Sequence, residues 1–327
     1  MRILAWALAL SCGLATANTA LAQGAGPGGY PNRPVKIIVP FAPAGPTDIA
    51  ARLIAGKLSE NLKQQFYVEN QAGAGGNLGM GNAAKAPADG YTILFVSSSY
   101  VVNPSLYDKV PYDPYKDFIP LTVAATAANV LLINPDVIPA KSAKELAEFL
   151  KAHPGKYSFA SAGTGTTPHL SGELFKLTYK LDIVHVPFPG AGPAIQSIIG
   201  GHTPLAFTSL PPAVPLIKDG KLRALAVANK TRVKVLPDVP TLEEAGSPDQ
   251  EADTFQAVLV PANTPKDVAQ FIYQEVVKAT KSPEVTAKME QLGLEIICNT
   301  PEQFTQQIKN EITKWGKVIK EANIKAQ

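Results

Sequence analysis

The segment Ser161-Ala162-Gly163-Thr164-Gly165-Thr166-Thr167-Pro168-His169 carries the richest local donor chemistry in the chain. Its glycines let backbone approach a ligand closely, and three threonine hydroxyls add donors. Pro168 marks the first turn of a helix, where unpaired N–H groups attract a carboxylate or phosphate. The segment lacks the lysine of a P-loop. The competing reading of the same residues is a polar turn into a capped helix. Phe41-Ala42-Pro43-Ala44-Gly45-Pro46-Thr47-Asp48 offers a second anion-type loop, against the alternative of a tight strand–helix turn capped by Thr47. Asp48 and Arg52 stand four apart and are suited to pair on the helix that follows. Gln71-Ala72-Gly73-Ala74-Gly75-Gly76-Asn77 contains G-x-G. Glu69, Asn70 and Gln71 intrude before it and no acidic residue is placed for a ribose, so it is not read as a dinucleotide fingerprint. Pro187-Phe188-Pro189-Gly190-Ala191-Gly192-Pro193 is glycine-rich before a short apolar helix.

Reactive groups are missing from these loops. The chain has no G-x-S-x-G elbow and no H-E-x-x-H motif, and His153, His169, His185 and His202 lack metal-ligand spacing. No metal and no cofactor is expected. His185 sits inside a strand and reads as a packed, hydrogen-bonded residue, whereas His169, at a helix start, is open to a structural or a ligand-facing role. Several anion-type loops without a nucleophile describe a binder rather than an enzyme.

The elements that must position these loops alternate. Val35–Pro40, Phe66–Glu69, Thr92–Val96, Val130–Ile133, Tyr157–Ala160, Ile183–Val186, Leu205–Phe207, Leu222–Val227 and Ala257–Val260 read as strands. Ile49, Leu53, Ile54, Leu58 and Leu62 recur at helical spacing, as do Phe304, Ile308, Ile312, Trp315 and Ile319. Ser142 with Glu145 forms a capping-box pattern, and Thr167-Pro168, Thr264-Pro265, Ser282-Pro283 and Thr300-Pro301 each place a cap before proline. Such alternation builds parallel-rich sheets with helices on both faces and ligands beyond the carboxyl ends of the strands.

A chain of 327 residues has room for two lobes, and 46% apolar with 17% charged residues describes a folded chain. The formal net charge of +3 argues against a nucleic-acid partner, which needs a basic face. Residues 1–22 have the make-up of an export leader: Arg2, an apolar run from Ile3 to Leu10, and Ala20-Leu21-Ala22 before Gln23. Ser11, Gly13, Thr16 and Asn18 interrupt that run, which disfavours a membrane anchor. Ala9-Leu10-Ser11 fits a lipoprotein site at Cys12 badly. After cleavage Cys298 stands alone, as a buried filler after Ile296-Ile297.

Ordered motifs run along the whole mature chain: Tyr30-Pro31 to Val35, Val39-Pro40-Phe41-Ala42-Pro43, Thr47-Asp48-x-x-Ala51-Arg52, Val68-Glu69-Asn70, Gly73–Asn77 and Ala88–Thr92. They continue with Ser161–Gly165, His169–Phe175, Ile183–Phe188, Gly220–Val227 and Leu236–Thr241. In these the chain resembles the solute-binding receptors of tripartite tricarboxylate transporters, the Bug family. The resemblance implies an α/β, two-lobed type II periplasmic binding protein, a Venus flytrap with mixed, mostly parallel sheets. One lobe would hold residues 23–123 and 249–327, the other 124–248. It implies a small carboxylate ligand held by backbone amides, hydroxyls and water. Phe41, Ala42, Ala44, Gly45, Pro46, Thr47, Asp48, Gly75, Gly76, Asn77, Ser97, Ser98 and Ser99 would supply one side. Ala162, Gly163, Thr164, Gly165, Thr166, Thr167, His169, Phe188, Ala191, Thr208 and Ser209 would supply the other. It further implies a periplasmic monomer serving inner-membrane permease subunits; a sensor that presents bound solute to a signalling partner is the alternative, and an exported hydrolase a more distant one. The first loop reads Ala44-Gly45-Pro46 where the family is richer in glycine. Thr208-Ser209 stands where the family commonly starts with an acid, and Pro189 where it commonly has Lys or Arg. Those departures strip charge from the cleft rim and point to an amine-free acid, most simply a dicarboxylate, aliphatic or aromatic.

Overall fold

The computed structural model describes residues 26–248 and 250–326; the expected leader, residues 1–22, lies outside them. The first elements are β1 (Val35–Val39), α1 (Pro46–Leu62), β2 (Phe66–Asn70), α2 (Asn77–Ala84), β3 (Thr92–Ser97), α3 (Ser99–Leu106) and β4 (Phe118–Ala127). A second unit follows with β5 (Asn129–Ile133), α4 (Ala143–Lys151), β6 (Ser158–Ser161), α5 (Thr167–Tyr179), β7 (Val184–Pro187), α6 (Ala191–Ile199), β8 (Leu205–Ser209), α7 (Val214–Lys218) and β9 (Arg223–Val227). The chain returns through β10 (Thr254–Pro261) to α8 (Lys266–Thr280), α9 (Pro283–Gln291), β11 (Leu294–Ile296) and α10 (Pro301–Glu321).

The first sheet runs β11-β4-β10-β3-β1-β2 and the second β7-β6-β8-β5-β9. β1 lies parallel between β2 and β3, and β6 lies parallel between β7 and β8. β10 is antiparallel to β3 and β4, β11 to β4, and β5 to β8 and β9. The α/β two-lobed class with mixed sheets therefore holds, but parallel pairing is less prevalent than expected. The strands that flank the passages between lobes, β4, β5, β9 and β10, run against their neighbours. β4 also carries through the expected 123/124 division to Ala127.

Each sheet is packed on both faces, because apolar residues occupy both sides of its central strands. In the first lobe, Ile54 and Leu58 of α1 and Ile272 and Val276 of α8 cover one face; Tyr100, Phe304 and Trp315 cover the other. In the second, Leu146, Phe159, Phe175 and Phe207 pack on one side, and Ala160, Ile195, Ile198 and Val214 on the other. Two passages join the lobes side by side, at 127–129 and 252–254. The Ala252 N–H donates to Ala228 O at 2.9 Å, the Ala228 N–H donates to Asn129 O at 2.8 Å, and Asn129 Nδ2 donates to Ala252 O at 2.6 Å. Parallel β1, β2 and β3 end on one side of their sheet, as do β6, β7 and β8 of theirs, and the loops that follow them meet across the gap. Among the described residues no helix is long and apolar enough to cross a membrane.

Candidate functional site

The loop after β1 is fastened from behind. Ala44 takes a left-handed backbone (φ 64°), a strained choice for a residue with a Cβ. Its N–H donates to Asp48 Oδ2 at 3.0 Å. Asp48 also accepts from Arg52 Nε at 3.0 Å and from Asn70 Nδ2 at 2.9 Å, and Asn70 Nδ2 donates to Phe41 O at 3.0 Å. Asp48 thus has both oxygens occupied inside the first lobe and braces the loop rather than facing the gap. Asn103 plays the same part for the next loop, its Nδ2 donating to Gly75 O at 3.0 Å and to Asn77 Oδ1 at 2.8 Å. Ser98 accepts from the Phe255 N–H at 2.9 Å, tying α3 to β10.

The loop after β6 rests on two stacked imidazoles. Ser161 Oγ lies 2.7 Å from His185 Nε2, the His169 and His185 rings stack with centroids 4.1 Å apart, and His169 Nδ1 accepts from the Gly165 N–H at 3.4 Å. Burial pulls the His169 pKa down to about 4 and the His185 pKa to about 2, the latter helped by His169 and Lys176. Both are neutral near pH 7. Of the two roles open to His169, the structure shows the structural one, beneath the loop. The helix cap is Thr166, one residue before the expected Thr167: its Oγ1 accepts from the His169 N–H at 3.4 Å and donates to Gly163 O at 2.7 Å.

Between the lobes lies a hole of about 20 Å³, lined by Phe41, Gly45, Pro46, Thr47, Ser97, Ala162, Thr166, Pro168, Ala191, Ser209 and Thr254. None of these side chains is charged. The first turns of α1, α5 and α6 border it, so three helix N-termini from both lobes contribute positive potential to one point. Outside it opens a recess of about 320 Å³, walled by Phe41, Gly73–Gly76, Tyr107, Ala162–Thr164 and Pro187–Pro189. Phe41 and Ala162 belong to both spaces. Ala42 N donates to Pro189 O at 3.0 Å and Tyr107 OH to Thr164 O at 3.2 Å, so the lobes touch at this rim.

The structure therefore gathers Phe41, Gly45, Pro46, Thr47, Gly75, Gly76, Ser97, Ala162, Gly163, Thr164, Thr166, Phe188, Ala191 and Ser209 around the two spaces. Ala42, Ala44, Asp48, Asn77, Ser98, Ser99, Gly165, Thr167, His169 and Thr208 line neither of them. Thr208 is fully buried, with Oγ1 lacking a partner. Pro168, Thr254 and Asn129 also belong to the site or its frame, as Gly73, Ala74, Tyr107, Pro187 and Pro189 do to the recess. Thr254 Oγ1 donates to Asn129 Oδ1 at 2.8 Å, which also accepts from Ser209 Oγ at 3.2 Å. Thr254 lies where the apolar alternation of β10 has not yet begun; extending the strand back from Ala257 would have found it. Among the described residues no group of His, Cys, Asp and Glu could hold a metal ion.

Two α/β lobes joined by paired passages, with helix N-termini converging on a gap free of reactive side chains, define a two-lobed solute-binding protein. The profile of the tripartite tricarboxylate transporter family receptor matches residues 50–324. A UPF0065 protein from the tcbD–tcbE intergenic region of Pseudomonas sp. (strain P51) is 38% identical over 302 residues, covering 91% of this chain and 88% of that one. BugT of Bordetella pertussis (strain Tohama I) is 36% identical over 298 residues, covering 90% and 91%. A solved periplasmic transporter is 44% identical with a TM-score of 0.87, covering 90% of this chain and 99% of that one. Rpa4515 of R. palustris, solved with adipate, is 33% identical with a TM-score of 0.87, covering 91% and 100%. MatC of Rhodopseudomonas palustris, solved with bound malate, is 32% identical with a TM-score of 0.84, covering 89% and 100%. The chain belongs to the tripartite tricarboxylate transporter receptor family, in its Bug branch. It is a periplasmic solute-binding receptor and not an enzyme.

Proposed function

We propose that this receptor captures an amine-free organic acid, a dicarboxylate with an aliphatic or aromatic spacer, and delivers it to the inner-membrane permease subunits of a tripartite tricarboxylate-type transporter. The observation that carries the ligand class is the uncharged lining of the hole beneath three helix N-termini. Backbone N–H groups and hydroxyls there suit a carboxylate. An ammonium would find no anionic partner, and a buried unpaired charge is costly. Asp48, the one carboxylate in the site loops, is already bonded to Ala44, Arg52 and Asn70. Similarity to receptors solved with adipate and with malate supports the same class. Membership of the receptor family supports the permease partner. A site complete within one chain supports a monomer, whose lobes, divided at the passages 127–129 and 252–254, close about them. A thermal-shift panel of aspartate, glutamate, succinate, adipate, citrate, nicotinate, benzoate and terephthalate tests the ligand. An acid present at 100 times its Kd stabilises the protein by about 2.7 kcal/mol. Amine-free diacids should raise the Tm; a shift with aspartate or glutamate alone would contradict the reading.

A further inference from the structure

The two interlobe spaces differ in size and chemistry and have two lining residues in common. The hole, about 20 Å³, has room for one water-sized group and is ringed by hydroxyls and helix N-termini. The recess, about 320 Å³, is larger than the roughly 150 Å³ cavity that accommodates benzene. Phe41, Pro187, Phe188 and Pro189 give it apolar walls, and no charged side chain lines it. Phe41 and Ala162 form the boundary shared by the two. A ligand anchored by one carboxylate at the hole and reaching into the recess would pass between Phe41 and Ala162.

We propose that the recess sorts dicarboxylates by spacer, so that the receptor selects acids with a chain of four or more methylenes, or a para-substituted aromatic ring, over four-carbon diacids. The inference rests on the amine-free dicarboxylate reading above and adds the spacer to it. A four-carbon diacid holds its second carboxylate two carbons from the first. That leaves the apolar walls of the recess against water and sets a second charge close beside the hole. A longer or aromatic spacer covers Phe41 and Phe188 and carries the second carboxylate outward to the open side, where it stays hydrated.

Titration calorimetry of the mature receptor with succinate, malate, adipate, pimelate, terephthalate and aspartate tests this, alongside F188A and A74F, which widen and fill the recess. Adipate, pimelate or terephthalate should bind at least about tenfold more tightly than succinate and malate. In either variant the ratio of long-spacer to succinate affinity should fall several-fold. Succinate or malate binding as tightly as the longer acids would overturn the spacer inference and leave the amine-free reading standing. So would ratios unchanged in both variants. Binding of aspartate with no response to any amine-free diacid would overturn both.

Discussion

Asp253 sits in the passage from the second lobe back to the first, with Oδ1 buried and without a hydrogen-bond partner. Burial, reinforced by Glu251, Glu295 and Glu311 and opposed by Lys314, raises its pKa to about 7. The unfolded chain releases this proton near pH 4, the folded chain only near pH 7. The proton therefore favours the folded state below pH 4, and that contribution is lost as pH rises through 7. His169 and His185 act in the opposite sense, because their folded pKa values lie below the unfolded one. Protonation of the unfolded chain lowers stability as pH falls from about 6.5. Asp253→Asn removes the first contribution. Thermal melts of ligand-free protein should show the variant gaining on the parent from pH 5 to pH 8, by about 1–3 kcal/mol at the upper end. A constant difference across that range would show that Asp253 is ionised throughout. At this scale the Asp48–Arg52 pair is visible from its spacing and the packed His185 from its place inside a strand. The Asn70 and Asn103 braces are not, because their partners lie far along the chain.

Helix starts show which local signals survive folding. Thr300 takes the cap position expected before Pro301 and, beyond that, forms a full capping box with Gln303. Ser142 caps Glu145 N–H, but the Glu145 carboxylate accepts from the Lys141 N–H, one residue before the cap. Thr264 makes no cap; α8 begins after Pro265, and the Thr264 hydroxyl donates to Pro261 O. Ser282 takes the cap position of α9, yet its hydroxyl donates to Ala279 O. A cap before proline marks a helix start without fixing which group satisfies it. Periodicity does not mark β4, because Pro120 interrupts it and Ala124, Ala125 and Ala127 weaken its β-branched character, although it pairs on both sides, with β11 and β10. Thr166 was expected to give its hydroxyl to a ligand; in the fold that hydroxyl donates to Gly163 O and caps α5. Thr166→Val should therefore lower ligand-free stability by about 1 kcal/mol. Urea denaturation reads this, and an unchanged midpoint would mean the cap contributes nothing.

The two lobes themselves came from the family resemblance; periodicity gave the strands but not their division between two sheets. Closure depends on backbone meeting backbone at the rim. A Cβ placed on Gly75 of the first lobe would stand 2.1 Å from Thr164 O of the second, so only glycine lets these loops meet. Gly75 also has φ +61, where a side chain is strained by about 1–2 kcal/mol. Gly220, at φ +72 with open space around it, carries the strain without the collision. G75A and G220A should thus lose similar ligand-free stability, while only G75A loses adipate affinity, by at least about tenfold. Equal affinities in calorimetry would show that the lobes need not approach this closely on ligand.

That the cleft takes a carboxylate and has no place for an amine is tested most directly by two acids of one carbon skeleton, adipate and 2,5-diaminoadipate, which carries an ammonium beside each carboxylate. Calorimetric titration of the mature receptor at pH 7 should give adipate the tighter Kd by about a hundredfold, the cost of roughly 2.7 kcal/mol for burying an ammonium without an anionic partner. Equal or tighter binding of 2,5-diaminoadipate would contradict it.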